Sequence, residues 1–179
     1  MASTPVAGAD LSSAAIIDLD VTTADQGYLV SYRLVDVLPD EILERIHSGI
    51  EATFHHRVDL TARRMLPLMP ARTLCRSTVS TTATYESLTQ QYHLTRTFEY
   101  VARGEGGYYH SGEEHYSTSA IEDMEAWMTD IHDMLVPYPF KPADDVRRKI
   151  RVNVTLGRHF VLFVFPGNYT ATAEWTLDF

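Results

Sequence analysis

The chain has 179 residues, 45% hydrophobic and 22% charged, with a formal net charge of -9. That length holds one domain able to bury a core without disulfides or metals, and the composition excludes a fibrous or largely disordered chain. The negative charge repels phosphate backbones and anionic headgroups, so DNA, RNA and anionic lipid surfaces are poor partners.

Residues 1–14 are small and polar and read as a flexible leader ahead of one domain at 15–179. They hold no basic stretch followed by an apolar one, so they do not read as a secretion signal. The longest apolar run, 160–165, falls well short of the roughly 18–20 residues of a membrane helix, so no transmembrane segment is expected. A first strand is placed at 16–21. The next is cleaner, with Tyr28, Val30, Tyr32 and Leu34 alternating against Leu29, Ser31, Arg33 and Val35. A short helix follows. Pro39 suits its first position, Asp40 and Glu41 suit the positive end of its dipole, and Gly49 stops it.

Residues 50–62 alternate most clearly. Ile50, Ala52, Phe54, His56, Val58, Leu60 and Ala62 share one face, on which His56 alone is polar. Residues 72–85 and 88–102 give two more strands. The second places Arg96 among Tyr92, Leu94, Phe98 and Tyr100. Gly104, Gly106 and Gly107 then mark a turn into Tyr108 and Tyr109.

Ser119, Ala120, Ile121 and Glu122 spell a capping box. Ile121, Met124, Trp127, Met128, Ile131 and Leu135 recur at helical spacing, so a second helix is expected to run on until Pro137 and Pro139 end it. Two late alternating strands, 150–156 and 169–179, close the chain. Strands in consecutive runs predict an α+β, mainly β fold, an antiparallel β-sandwich or curled sheet of about six or seven strands with two helices.

The single cysteine, Cys75, excludes an intrachain disulfide and reads as a small buried residue. His110, Glu113 and His115 offer imidazole and carboxylate, the donors zinc accepts, but histidines five apart around Gly112 fit no helical zinc motif. The stretch 110–115 reads as a solvated loop. His55 and His56 point to opposite faces of a strand, so they cannot chelate together, and His56 reads as a satisfied core histidine. Arg96 needs a carboxylate or carbonyl partner if buried; a structural pairing is preferred to an anion pocket. No nucleophile elbow, phosphate loop or paired acid and base stands out, and no cofactor is expected.

Ser48-Gly49-Ile50, the strand from Thr53 to Leu60 and the stretch Tyr85-Glu86-Ser87-Leu88-Thr89-Gln90-Gln91-Tyr92 resemble a bacterial envelope family, domain of unknown function 4390. Gly167, Tyr169, Glu174 and Trp175 fit as well, and the likeness covers residues 15–179. It implies a periplasmic or envelope location and a β-rich accessory role, and it supplies no catalytic residues. Tyr85 and Tyr92 themselves read as closing a hairpin.

The expected function is therefore a non-enzymatic interaction module with another protein as partner. Tyr108, Tyr109 and Tyr116 offer contact surface, and Arg96 and His56 are further binding candidates. Two alternatives stand beside it. One is a binder of a small apolar or lipidic ligand between the sheets, lined by 160–165 and the Tyr28 and Tyr32 face. The other is a metal-dependent hydrolase using His110, Glu113 and His115.

Overall fold

The computed structural model describes residues 14–62, 72–102, 109–137, 148–157 and 170–177, the last of these by backbone alone. The turn at 104–107, Tyr108, residues 1–13 of the leader and the run 160–165 lie outside the described residues.

The described chain forms β1 (Ala15–Ala24), β2 (Gly27–Val35), α1 (Asp40–His47), β3 (Ala52–Ala62), β4 (Arg72–Glu86), β5 (Gln91–Ala102), β6 (Tyr109–Thr118), α2 (Ile121–Thr129), β7 (Asp130–Pro137), β8 (Arg148–Gly157) and β9 (Thr170–Leu177). One sheet is ordered β1-β2-β7, the other β6-β5-β4-β3-β8-β9, and every pairing is antiparallel. The fold is thus α+β and mainly β, within the antiparallel sandwich or curled sheet expected, with nine described strands where the sequence suggested six or seven.

The two apolar faces meet as the alternation requires. Tyr28, Val30, Tyr32 and Leu34 of β2 are buried, as are Phe54, His56, Val58 and Leu60 of β3 and Ile150, Val152 and Val154 of β8. Cys75 is buried among them, which pushes its thiol up to about 12 and keeps it an unreactive thiol at neutral pH. Tyr85 and Tyr92 face each other as the next-to-last pair of the β4–β5 hairpin, rings 4.9 Å apart. Gln90 takes a positive φ in the turn between them. The resembling stretch is therefore a hairpin, and His47 of α1 packs on both tyrosine rings.

Helix α1 ends as read. Gly49 has φ +82°, its N–H donates to Ile46, and the Ile50 N–H reaches back to the Arg45 carbonyl. Pro39 sits one place earlier than expected, as the N-cap.

Helix α2 corrects the sequence reading twice. Its N-cap is Ala120, and no side chain caps it, so the Ser119 box does not form. Thr118 instead accepts the Ala120 N–H at 3.1 Å and donates to Asp123 at 2.9 Å. The helix also stops at Thr129, and 130–137 becomes β7. Strand β2 would otherwise leave one edge unpaired, and β7 supplies it with a partner over Gly27–Pro137 to Arg33–Asp130. The register shifts between Val30 and Tyr32, and Asp133 has φ +50°. That bulge turns Ile131 and Met134, three residues apart, to the same buried side. A spacing of three, read as helical, belongs here to a bulged strand.

The stretch 110–115 is a further correction, being part of β6 and not a loop. As a terminal strand it is exposed along nearly its whole length, so burial imposes no alternation on its sequence. Gly112 sits under the Phe98 ring, where a Cβ would come within 2.2 Å of the ring edge.

Gly27 opens β2 with φ +156°, and a Cβ there would lie 2.2 Å from the Val136 carbonyl oxygen. That atom belongs to the β2–β7 ladder and cannot yield without breaking it. Gly27→Ala is expected to cost about 2 kcal/mol, read as a lower denaturant midpoint with unchanged slope.

Candidate functional site

The polar side chains singled out from sequence fall into two places, a sealed centre between the sheets and the open edge at β6. His56 lies at the centre, fully buried on β3. Its Nδ1 is 3.0 Å from the Tyr32 hydroxyl on β2, and its Nε2 is 3.2 Å from Thr81 Oγ1 on β4. Thr81 in turn donates to the Met128 carbonyl of α2. The directions are then fixed. The Thr81 oxygen accepts from Nε2–H, so Nδ1 is bare and accepts from Tyr32 O–H. Burial, helped by the nearby Arg96 charge and by His55, pushes His56 down to about 3, so this neutral tautomer is the one present at neutral pH. His56 is the satisfied core histidine expected, and burial likewise holds Tyr32 protonated.

Arg96 stands beside this chain. Its Nη2 donates to the Trp127 carbonyl at 2.7 Å and the Asp130 carbonyl at 3.3 Å, and its guanidinium carbon lies 4.4 Å from the Trp127 ring centre. Its partners are the carbonyls at the C-terminal end of α2, which a helix leaves without internal donors. The structural pairing is the one found. Burial lowers the Arg96 pKa, and Glu114, Tyr32 and Asp130 oppose that. Arg96 Nε and Trp127 Nε1 are buried without a hydrogen-bond partner among the described residues.

The remaining candidates sit on β6 and do not converge. Alternation turns His110 to the inner side, 5.7 Å from the Phe98 ring and 6.0 Å from Tyr100. Glu113 and His115 face outward together, 3.6 Å apart. Among the described residues no three His, Cys, Asp or Glu side chains come together as metal ligands. Tyr116 stacks on Trp127 with ring centres 5.5 Å apart and donates to Asp123 at 3.4 Å. Tyr109 is two-thirds exposed. The Tyr28 and Tyr32 face named for a lipid is core, with their hydroxyls meeting Arg148 and His56.

Sequence reasoning missed the outer face of the larger sheet. Asp59 there takes the Arg57 and Arg76 guanidinium groups, each at 2.8 Å. Towards the β6 edge a shallow depression of about 450 Å³ opens over β4, β5 and β6, lined by Thr78, Ser80, Thr97, Glu99, Tyr109, Ser111 and Glu113 among others. A polar face of an antiparallel sheet shows in the alternation, but nothing local in the sequence tells which strands lie side by side.

The edge itself is the most open feature. Strand β6 has β5 on one side, and no described strand pairs with its other side. Alternate residues of this ten-residue strand bond β5, and the ones between them turn their peptide N–H and C=O groups outward. Among the described residues no helix is long and apolar enough to cross a membrane.

A family model described as domain of unknown function (DUF4390) matches residues 12–178. No curated protein and no solved structure matches the chain.

Proposed function

The chain belongs to the family described as domain of unknown function DUF4390, and from that starting point we propose that it is a non-enzymatic interaction module of the bacterial envelope that adds an extended segment of another protein to β6. The observation that carries this is the ten-residue exposed terminal strand at the end of a six-stranded sheet. Such an edge offers a ready ladder of main-chain bonds, and strand addition is a recurrent way of using one. The opposite end of the sheet, β9, lies beside β1, which leaves β6 the more open of the two. The polar side chains of β6, Glu113, Glu114 and His115 among them, keep such an edge from pairing indiscriminately.

A ten-residue peptide of alternating threonine and valine is the probe. Its addition is expected to slow amide exchange in Tyr109–Thr118 while leaving β1 and β9 unchanged. Full N-methylation of the peptide, which removes every main-chain donor, is expected to abolish the effect. Unchanged exchange in β6 at saturating peptide overturns the reading.

A further inference from the structure

The edge of β6 and the depression on the outer face adjoin each other, and together they describe what the edge receives. We infer that the segment added to β6 carries a lysine or arginine on its outward side, at the position opposite Ser111. This rests on the strand-addition reading and goes one step past it, to the chemistry of the partner.

The register fixes the surroundings of that position. On the outer face Ser111 stands opposite Glu99 of β5, and Glu113 stands opposite Thr97. Thr78 and Ser80 of β4 continue the same two rows. Tyr109 precedes Ser111 and Glu113 follows it on the same face of β6, so all three border the depression. A strand added to β6 lies about 4.8 Å beyond it. Its side chain opposite Ser111 then has the exposed Tyr109 ring on one side and the Glu113 carboxylate on the other. Ser111 is small, so a long side chain can lie over it and bring its tip to Glu99, one strand further in.

A four-carbon stem ending in a cation matches each of these surroundings. The stem packs along the sheet while the head stays wet. The two carboxylates attract the positive charge, and the face of Tyr109 does so as well. An anionic side chain meets Glu99 and Glu113 and is repelled. The net charge of -9 favours a basic segment at longer range too. Glu113 is already within 3.6 Å of His115, an exposed contact that a better placed cation displaces at little cost.

The test compares two peptides on the intact protein: the threonine and valine ten-mer with a central lysine, and the same peptide with acetyl-lysine, which keeps the stem and removes the charge. The lysine peptide is expected to bind about tenfold more tightly at low salt, the gap closing as salt is raised. In Glu99→Gln with Glu113→Gln the two peptides are expected to bind alike; both side chains are surface groups, and a circular dichroism spectrum checks that the sheet is intact. Equal binding of the two peptides to the wild-type protein, lost for both on N-methylation, overturns the basic preference and leaves strand addition standing. Binding of neither peptide, or binding that survives N-methylation, removes strand addition and this inference with it.

Discussion

Replacing Arg96 with methionine is expected to lower the unfolding free energy by about 3 kcal/mol, among the largest single-site losses in the protein. The side chain does three things at once. It supplies the donor for the Trp127 and Asp130 carbonyls, it lies against the Trp127 ring, and it fills the inner face opposite Thr81, the Nε2 partner of His56. Methionine retains much of the filling and none of the donors. Two carbonyls at the end of α2 are then left without a partner in a half-buried place, at about 1–2 kcal/mol each. Loss of the cation over an indole face adds about 0.5–1 kcal/mol. Arg96→Lys separates these contributions. A lysine keeps the charge and three N–H donors but is shorter and lacks the planar guanidinium that lies against the Trp127 ring, so it is expected to recover less than half of the loss. Urea unfolding with equal slopes for the three proteins is the measurement, and a methionine variant within about 0.5 kcal/mol of wild type would dismiss the role.

The same residue explains where the sequence ceased to be legible. Strands β2, β3 and β8 bury one face against the opposite sheet, so their alternation follows from burial and can be read directly from Tyr28 to Leu34, Phe54 to Leu60 and Ile150 to Val154. Helix α1 carries its own stop in Gly49. By contrast, the end of α2 is set from outside, by Arg96 on β5 and by the edge of β2 that β7 pairs, which lie far away in sequence. A local pattern cannot report a distant donor. Strand β6 was hidden for the opposite reason, since a terminal strand exposed on both faces is under no pressure to alternate. For the candidate site, sequence named Tyr109 as a contact residue and Glu113 as a metal-ligand candidate. The depression they border also needs Thr78, Ser80 and Glu99, which only the register of β4, β5 and β6 brings beside them.

Acidification should destabilise the protein more than any substitution discussed, and His56 supplies the reason. In the folded chain its imidazole takes a proton only near pH 3, because burial, the Arg96 charge and His55 all disfavour the cation. In the unfolded chain it takes one near pH 6.5. Between those two values the unfolded state binds a proton that the folded state refuses, so stability falls as pH falls. Above pH 6.5 the residue adds no pH dependence. Through the window the slope is up to about 1.4 kcal/mol per pH unit, and the whole interval amounts to about 4–5 kcal/mol. Geometry explains why the folded state cannot adapt. Nδ1 already faces the Tyr32 hydroxyl, Nε2 faces Thr81, and Arg96 opposite Thr81 brings a like charge, so a second ring proton has no carboxylate to meet. A variant combining His56→Leu with Tyr32→Phe removes the titrating group together with the hydroxyl that depends on it. Its unfolding free energy should be nearly flat between pH 6 and 4, apart from the smaller slope of the carboxylates. Glu86, held below the usual carboxylate range by Thr89 and His93, is one of these. If the wild-type protein and this variant lose stability in parallel over that range, the His56 chain is not what couples the two sheets to pH.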